Sequence, residues 1–265
     1  MKVFISADIE GITGVTHWDE TDPSRADYST ARQQMTAEVA AACEGALQAG
    51  AHEILVKDAH NSGRNILASS LPLPARLVRG WSGHPLDMVQ ELDRSFDAVF
   101  FIGYHSGCGM DTSPLAHTNT GALHHIYIND LPASEFLIHA YAAAWLQVPV
   151  VFVSGDQGLC DEILRTNPHI NTLAVKQGIG DSTINIHPEL AVSRIRECAA
   201  QALLQDRSAC LLSLPPSFFV RMEYKQPYKA FRNSFYPGAR LDSPGTVIYE
   251  TGDYFDVLRM LKFTV

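Results

Sequence analysis

Met1–Gly14, MKVFISADIEGITG, opens the chain with an apolar run that meets two acids and then two glycines. Val3, Phe4 and Ile5, bounded downstream by Gly11 and Gly14, predict a short buried strand at the amino terminus. Side chains two apart on a strand point the same way, so Asp8 and Glu10 project together from its carboxyl end. Ligand sites of open α/β sheets lie at that edge. Two carboxylates on one face repel unless a cation or a proton sits between them, and a divalent metal is the simplest resolution. The alternative is a solvated strand end with a turn-forming Asp.

Further along, strands and helices alternate. Thr30–Gln48 predicts a helix stopped by Gly50, and Glu53–Asp58, EILVKD, a second strand that ends in Ala59-His60-Asn61-Ser62. Leu77–Gly80 predicts a short strand and Pro85–Asp93, PLDMVQELD, a helix started by its proline. Asp97–Gly103, DAVFFIG, is almost continuously apolar, as in the middle of a parallel sheet, and Tyr104 and His105 follow it. His124–Asn129 alternates like a strand, Ser134-Glu135 opens a helix to about Leu146, and Pro149–Ser154 and Thr172–Lys176 predict further strands. After the helix Pro188–Gln205, half-buried strands at Ser217–Tyr224 and Thr246–Tyr249 and a final helix at Asp253–Lys262 change the pattern. The expected architecture is therefore α/β, three-layered, with a mostly parallel sheet, helices on both faces and a smaller C-terminal α+β lobe. The expected division is a metal-binding α/β domain over residues 1–190 and the lobe over 191–265, with the stretch 108–138 packing against it.

Composition narrows the function classes. The chain has 265 residues, 46% of them hydrophobic, and a formal charge of −9. No basic cluster is present, which argues against nucleic acid and against an anionic membrane surface. The apolar region Ala140–Val153 is broken by Gln147 and Pro149 and is too short to span a bilayer. Five widely spaced cysteines without a CxxC, and no signal-peptide pattern, point to a cytoplasmic protein with neither a disulfide framework nor a thiolate zinc site. Cys108, between glycines, is the cysteine expected to be exposed, while Cys43, Cys160, Cys198 and Cys210 read as packing.

Three strand ends deliver metal-type residues to one edge: Asp8 and Glu10, then His60, then His105. Imidazole and carboxylate together suit zinc or a similar divalent ion. Asp58, two residues before His60, would orient an imidazole, and Lys176 would contact substrate or pair with an acid. His17, Trp18 and several acids fall in a long polar loop, Thr16–Ser29, where substrate contacts are expected. The remaining histidines, among them His124, His125 and His139, read as structural or surface residues.

ADIEGITG, VKDAHNS, FIGYHSG, YINDLPASE and AVKQGIG, in that order over about the first 180 residues, resemble the signature pieces of the D-aminopeptidase family of zinc metallopeptidases. The match weakens after Pro188. The resemblance implies a dinuclear zinc centre, two Zn2+ per subunit, held by Asp8 as bridging ligand with Glu10, His60, His105 and Glu135. Glu135 enters through the resemblance alone, since a glutamate in a first helical turn is ordinarily a dipole-matched surface residue. The family's catalytic histidine falls on His117, in AHTNT, where Thr118 and Asn119 depart from the family pattern. The implied chemistry is hydrolysis of short peptides or amides with an N-terminal D-residue by metal-activated water, with His117 stabilising the oxyanion or passing a proton to the leaving amine. A homo-oligomer, a decamer of stacked rings, is implied as well. Two other readings stay open: a different dinuclear hydrolase, acting on a cyclic amide or a phosphoester, and a non-catalytic α/β binding protein with a structural metal. A nucleotide-binding oxidoreductase is disfavoured, because Glu10-Gly11-Ile12-Thr13-Gly14 lacks a GxGxxG fingerprint and places an acid where phosphate would dock.

Overall fold

A computed structural model describes all 265 residues. Their order is β1 (Lys2–Ala7), α1 (Tyr28–Gln48), β2 (Glu53–Asp58), β3 (Ala75–Val78), β4 (Ala98–Tyr104), β5 (Leu123–Ile128) and β6 (Leu131–Pro132). There follow α2 (Glu135–Trp145), β7 (Val150–Asp156), α3 (Gln157–Thr166), β8 (Asn171–Ile179), β9 (Ser182–Asn185) and α4 (Pro188–Leu204). The chain closes with β10 (Phe218–Tyr224), α5 (Pro227–Asn233), β11 (Arg240–Ser243), β12 (Thr246–Thr251) and α6 (Tyr254–Thr264).

Two sheets result. The larger runs β3-β2-β1-β4-β7-β8-β9 and is parallel except for β9, which returns antiparallel on β8. Its central strands β1, β4 and β7 are buried almost throughout, which accounts for their continuous apolar composition. From β1 the chain moves outward to β2 and β3, then crosses back to β4 on the other side of β1. The strand order therefore reverses between β1 and β4, and the crevice at their carboxyl ends is the natural place for a ligand. The helix α1 packs along α4, and α2 packs against α6 and β4. The smaller sheet, β11-β12-β10-β5-β6, is antiparallel, and it draws β5 and β6 from the middle of the chain. No helix is long and apolar enough to cross a membrane.

Three expectations are corrected. The strand β1 ends at Ala7, so Asp8 and Glu10 share a site through the turn that follows and not through strand alternation. Pro85–Asp93 holds only a 3₁₀ turn, Asp87–Val89, because Asp87 and Glu91 have φ of 47° and 72°, in the left-handed region that no right-handed helix continues through. Cys108 is buried along with Cys43, Cys160 and Cys210, and Cys198 is the half-buried one.

Candidate metal centre

The turn after β1 lies directly on the end of β4. The Asp8 amide donates to Ile102 O at 2.8 Å and the Gly11 amide to Gly103 O at 2.8 Å. A Cβ on Gly11 would stand 1.8 Å from Tyr104 O, and one on Gly103, which has φ +72°, would stand 2.3 Å from Asp8 O. Glycine at both positions lets the two strand ends meet and carries Asp8 and Glu10 to within reach of His105.

Five side chains from four segments converge there. His60 Nδ1 lies 3.3 Å from Asp8 Oδ1 and 3.0 Å from Glu10 Oε2. His105 Nε2 lies 3.4 Å from Asp8 Oδ2 and 3.4 Å from Glu135 Oε2. Asp8 thus stands between the two imidazoles, one oxygen toward each. Glu135 comes from the first turn of α2, whose N-cap Ser134 accepts from the Leu137 amide at 3.2 Å. All five residues are buried.

The far nitrogen of each histidine fixes its tautomer. His60 Nε2 donates to Thr21 O at 2.9 Å and His105 Nδ1 to Ser106 O at 3.0 Å. A backbone carbonyl can only accept, so the far nitrogen carries a proton and the nitrogen that faces the carboxylates is the one a metal would take in exchange for a proton. Burial and Glu10 push Asp8 up to about 6. Burial also works against ionised Glu10 and Glu135, but His60 and His105 outweigh it, holding Glu10 well below the usual carboxylate range and Glu135 down to about 2. Reciprocally, burial disfavours the charged imidazoles, and Glu10 and Glu135 hold His60 and His105 well above the ordinary histidine value. The cluster therefore demands positive charge.

Two buried atoms inside it, Glu10 Oε2 and His105 Nε2, carry no hydrogen bond. Imidazole nitrogens and carboxylate oxygens converge on gaps that protons or a metal cation would fill, and these donors are those zinc takes. The residues present fit a dinuclear zinc centre.

His117 stands beside this cluster. Its ring stacks on His105 with centroids 4.4 Å apart, and Trp18 packs edge-on against it at 5.2 Å. His117 Nδ1 donates to Leu115 O at 3.0 Å, leaving Nε2 free, 3.6 Å from Glu135 Oε1. A cavity of about 760 Å³ opens over these residues. Its walls include Trp18, Trp81, Asp87, Asn119 and Lys262. Asn119, held at φ +57°, gives its amide to Glu135 Oε1 at 2.7 Å.

Two supporting expectations are corrected. Asp58 touches no imidazole. It accepts from the Asn65 amide, Asn65 Nδ2 and the Ile66 amide at 2.6–2.7 Å and so shapes the loop that carries His60. Lys176 does not line the cavity: it lies behind the β1 turn, its ammonium on the carbonyls of Glu10 and Val15, and burial lowers it to about 8. His124 and His125 lie on β5 outside the cluster, and His139 is buried in α2 with Nδ1 donating to Glu135 O at 2.7 Å. Asp87, Trp81 and Lys262 were not anticipated as cavity residues. Trp81 between polar and glycine residues is the only local signal among them, and Lys262 has none.

The family model described as D-aminopeptidase, peptidase M55, matches residues 1–263. The chain is 30% identical over 249 residues to the D-aminopeptidase of Bacillus subtilis strain 168, spanning 94% of this chain and 90% of that protein. Among solved structures it is similar to the Zn-dependent D-aminopeptidase DppA from Bacillus subtilis, described as a self-compartmentalizing protease. The TM-score is 0.93 at 28% identity, over 98% of this chain and 95% of that one.

Proposed function

The chain belongs to the D-aminopeptidase family, and from that premise we propose that the crevice between β1 and β4 is the active site of a zinc-dependent aminopeptidase. Its substrates are short peptides or amides with a D-residue at the amino end. The observation that carries this is a buried cluster of imidazoles and carboxylates at 3.0–3.4 Å from one another in which Glu10 Oε2 and His105 Nε2 make no hydrogen bond. Asp8, Glu10, His60, His105 and Glu135 would hold the zinc ions. When bound, the ions supply Lewis-acid polarisation of the scissile carbonyl and acidification of water.

The remaining chemistry belongs to the chain. His117 is the proton carrier: Leu115 O fixes its Nδ1, so Nε2 is the atom that takes up a proton and delivers it to the leaving amine. Trp18 packs against that ring. A cavity of about 760 Å³ admits a short peptide and no folded chain. The relative DppA is a self-compartmentalizing protease. By analogy the present enzyme is a homo-oligomer; the family resemblance extends this to a decamer of stacked rings with its sites facing an inner chamber, and the wide cysteine spacing points to a cytoplasmic setting.

Metal content of chain purified without chelator tests the proposal. About two zinc ions per chain, with D-aminoacyl amides cleaved faster than their L-counterparts, is the expected result. A chain that neither carries zinc nor takes it up overturns it. One geometric fact favours a second role for His117: its ring nitrogen, one from His105 and an oxygen of Glu135 all lie within 4.8 Å of one another, close enough to share an ion. His117→Ala separates the roles. Full zinc content with turnover lost is expected of a proton carrier, and loss of zinc marks a ligand.

A further inference from the structure

Only the turn that follows β1 contributes two side chains to the cluster, and it is fastened from behind. The hairpin β8–β9 runs under it. The Gly14 amide donates to Asn185 Oδ1 at 2.8 Å, and Thr13 Oγ1 lies within hydrogen-bond reach of Val175 O and Ile186 O, at 3.2 and 3.0 Å. At the centre stands Lys176, 3% exposed, whose Nζ donates to Val15 O at 2.6 Å and to the carbonyl of Glu10 itself. Extended chain covers about 3.3 Å per residue, yet one ammonium spans the turn from Glu10 to Val15, so it closes the segment into a compact loop.

We propose that Lys176 is a positioning residue for zinc. By clasping the carbonyls of Glu10 and Val15, it holds the Asp8–Glu10 turn in the shape that presents both carboxylates. This rests on Glu10 being a zinc-binding residue, as proposed above. Lys57 follows the same design on the neighbouring strand: its Nζ donates to Asp58 O at 2.6 Å and Gly80 O at 2.8 Å, behind the loop that carries His60.

Charge and clasp make opposite demands, which gives the proposal a sign. A positive charge behind a cation site repels the cation. If Lys176 acted only through its charge, its removal would tighten zinc binding. If it acts as a clasp, its removal lets the turn relax and weakens zinc binding, by the roughly ten- to hundredfold typical of residues that orient ligands.

The test strips full-length wild type and Lys176→Met with chelator and titrates each with zinc chloride against a chromophoric competitor, alongside urea unfolding of the zinc-free chains. The expected result is weaker zinc binding by tenfold or more in a variant whose zinc-free form unfolds cooperatively. Zinc binding equal to or tighter than wild type overturns the proposal. Should Lys176→Met fail to fold, Asn185→Ala decides. Asn185 is exposed and anchors the same turn through the Gly14 amide, so loss of zinc affinity supports the fastening of the turn by the hairpin and unchanged affinity overturns it. Wild type that binds no zinc would instead remove the function proposed above, an outcome visible before either variant is compared.

Discussion

Glu38 lies in the middle of α1 with no exposed surface, one carboxylate oxygen accepting from the Thr13 amide at 3.1 Å and Gln34 Nε2 at 3.0 Å, the other without any partner. Burial raises its carboxyl from 4.5 to about 7, against a lesser downward pull from those hydrogen bonds. A folded-state value above the unfolded one means that the folded chain binds the proton more tightly. The stability this confers is complete below about 4.5 and is lost as pH rises through about 7. The full swing is on the order of 3 kcal/mol. Glu38→Gln keeps an oxygen for Thr13 and removes the ionisation. Urea midpoints at pH 5 and pH 8, with chelator present, should therefore show the variant gaining on wild type at the higher pH. Parallel pH dependence in the two proteins would mean that Glu38 is ionised in the folded chain throughout. At this same scale the sequence was informative where a residue type is rare for its setting: acids at a strand end, histidines after apolar runs. It was silent on Glu135 without the family resemblance, because an acid in a first helical turn needs no explanation beyond the helix dipole.

At the scale of elements, the glycines of the β1 turn separate two roles. Gly11 has no room for a Cβ, which would meet Tyr104 O at 1.8 Å and Gly103 O at 2.5 Å, whereas Gly14 has open space and only a φ of +87° to satisfy. Gly11→Ala should push the turn off β4, cost about 3 kcal/mol or more, and reduce zinc uptake. Gly14→Ala should cost about 1 kcal/mol of backbone strain and leave zinc uptake intact. Equal zinc uptake by the two variants would show that close contact with β4 does not position Asp8 and Glu10. The strands themselves were legible, since a central parallel strand has to be apolar on both faces, and β1, β2, β4 and β7 carry that composition. What failed was local geometry. Nothing in PLDMVQELD declares that Asp87 and Glu91 are left-handed, and the partners of Asp87, Asn119 and Lys262, lie far away in the chain. The hairpin β8–β9 was likewise unread: its second strand is short and mostly exposed, so it carries no apolar signature. The clasp of Lys176 is a consequence of that hairpin and could not be seen before it.

Over the whole molecule, the last helix returns to the segment between β3 and β4. Lys262, three residues from the carboxyl terminus, pairs with Asp87 at 2.9 Å and stands 5.7 Å above the ring of Trp81, on the wall of the cavity. Distance along the chain hides such a contact from any reading of sequence pattern. Its consequence is electrostatic. Six carboxylates line the cavity, those of Asp8, Glu10, Asp19, Asp22, Asp87 and Glu135, against two cations, Arg25 and Lys262. Arg25 is already committed to Asp19 at 3.3 Å and Asp22 at 3.9 Å. Bound zinc would offset Asp8, Glu10 and Glu135, which leaves Lys262 as the charge that decides how the wall of Asp87 meets a substrate. Lys262→Met uncovers the Asp87 carboxylate. A peptide with a free carboxyl end then meets added repulsion on the order of 1 kcal/mol, whereas the same peptide with an amide end meets little. The ratio of KM for the free peptide to KM for its amide should rise roughly fivefold, and added salt should shrink the difference because the wall is open to solvent. The double variant Lys262→Met with Asp87→Asn restores neutrality and should return the ratio toward wild type. If the ratio stays high in the double variant, Lys262 contacts substrate directly instead of balancing Asp87. If it never rises, the carboxyl end of the substrate lies away from this wall.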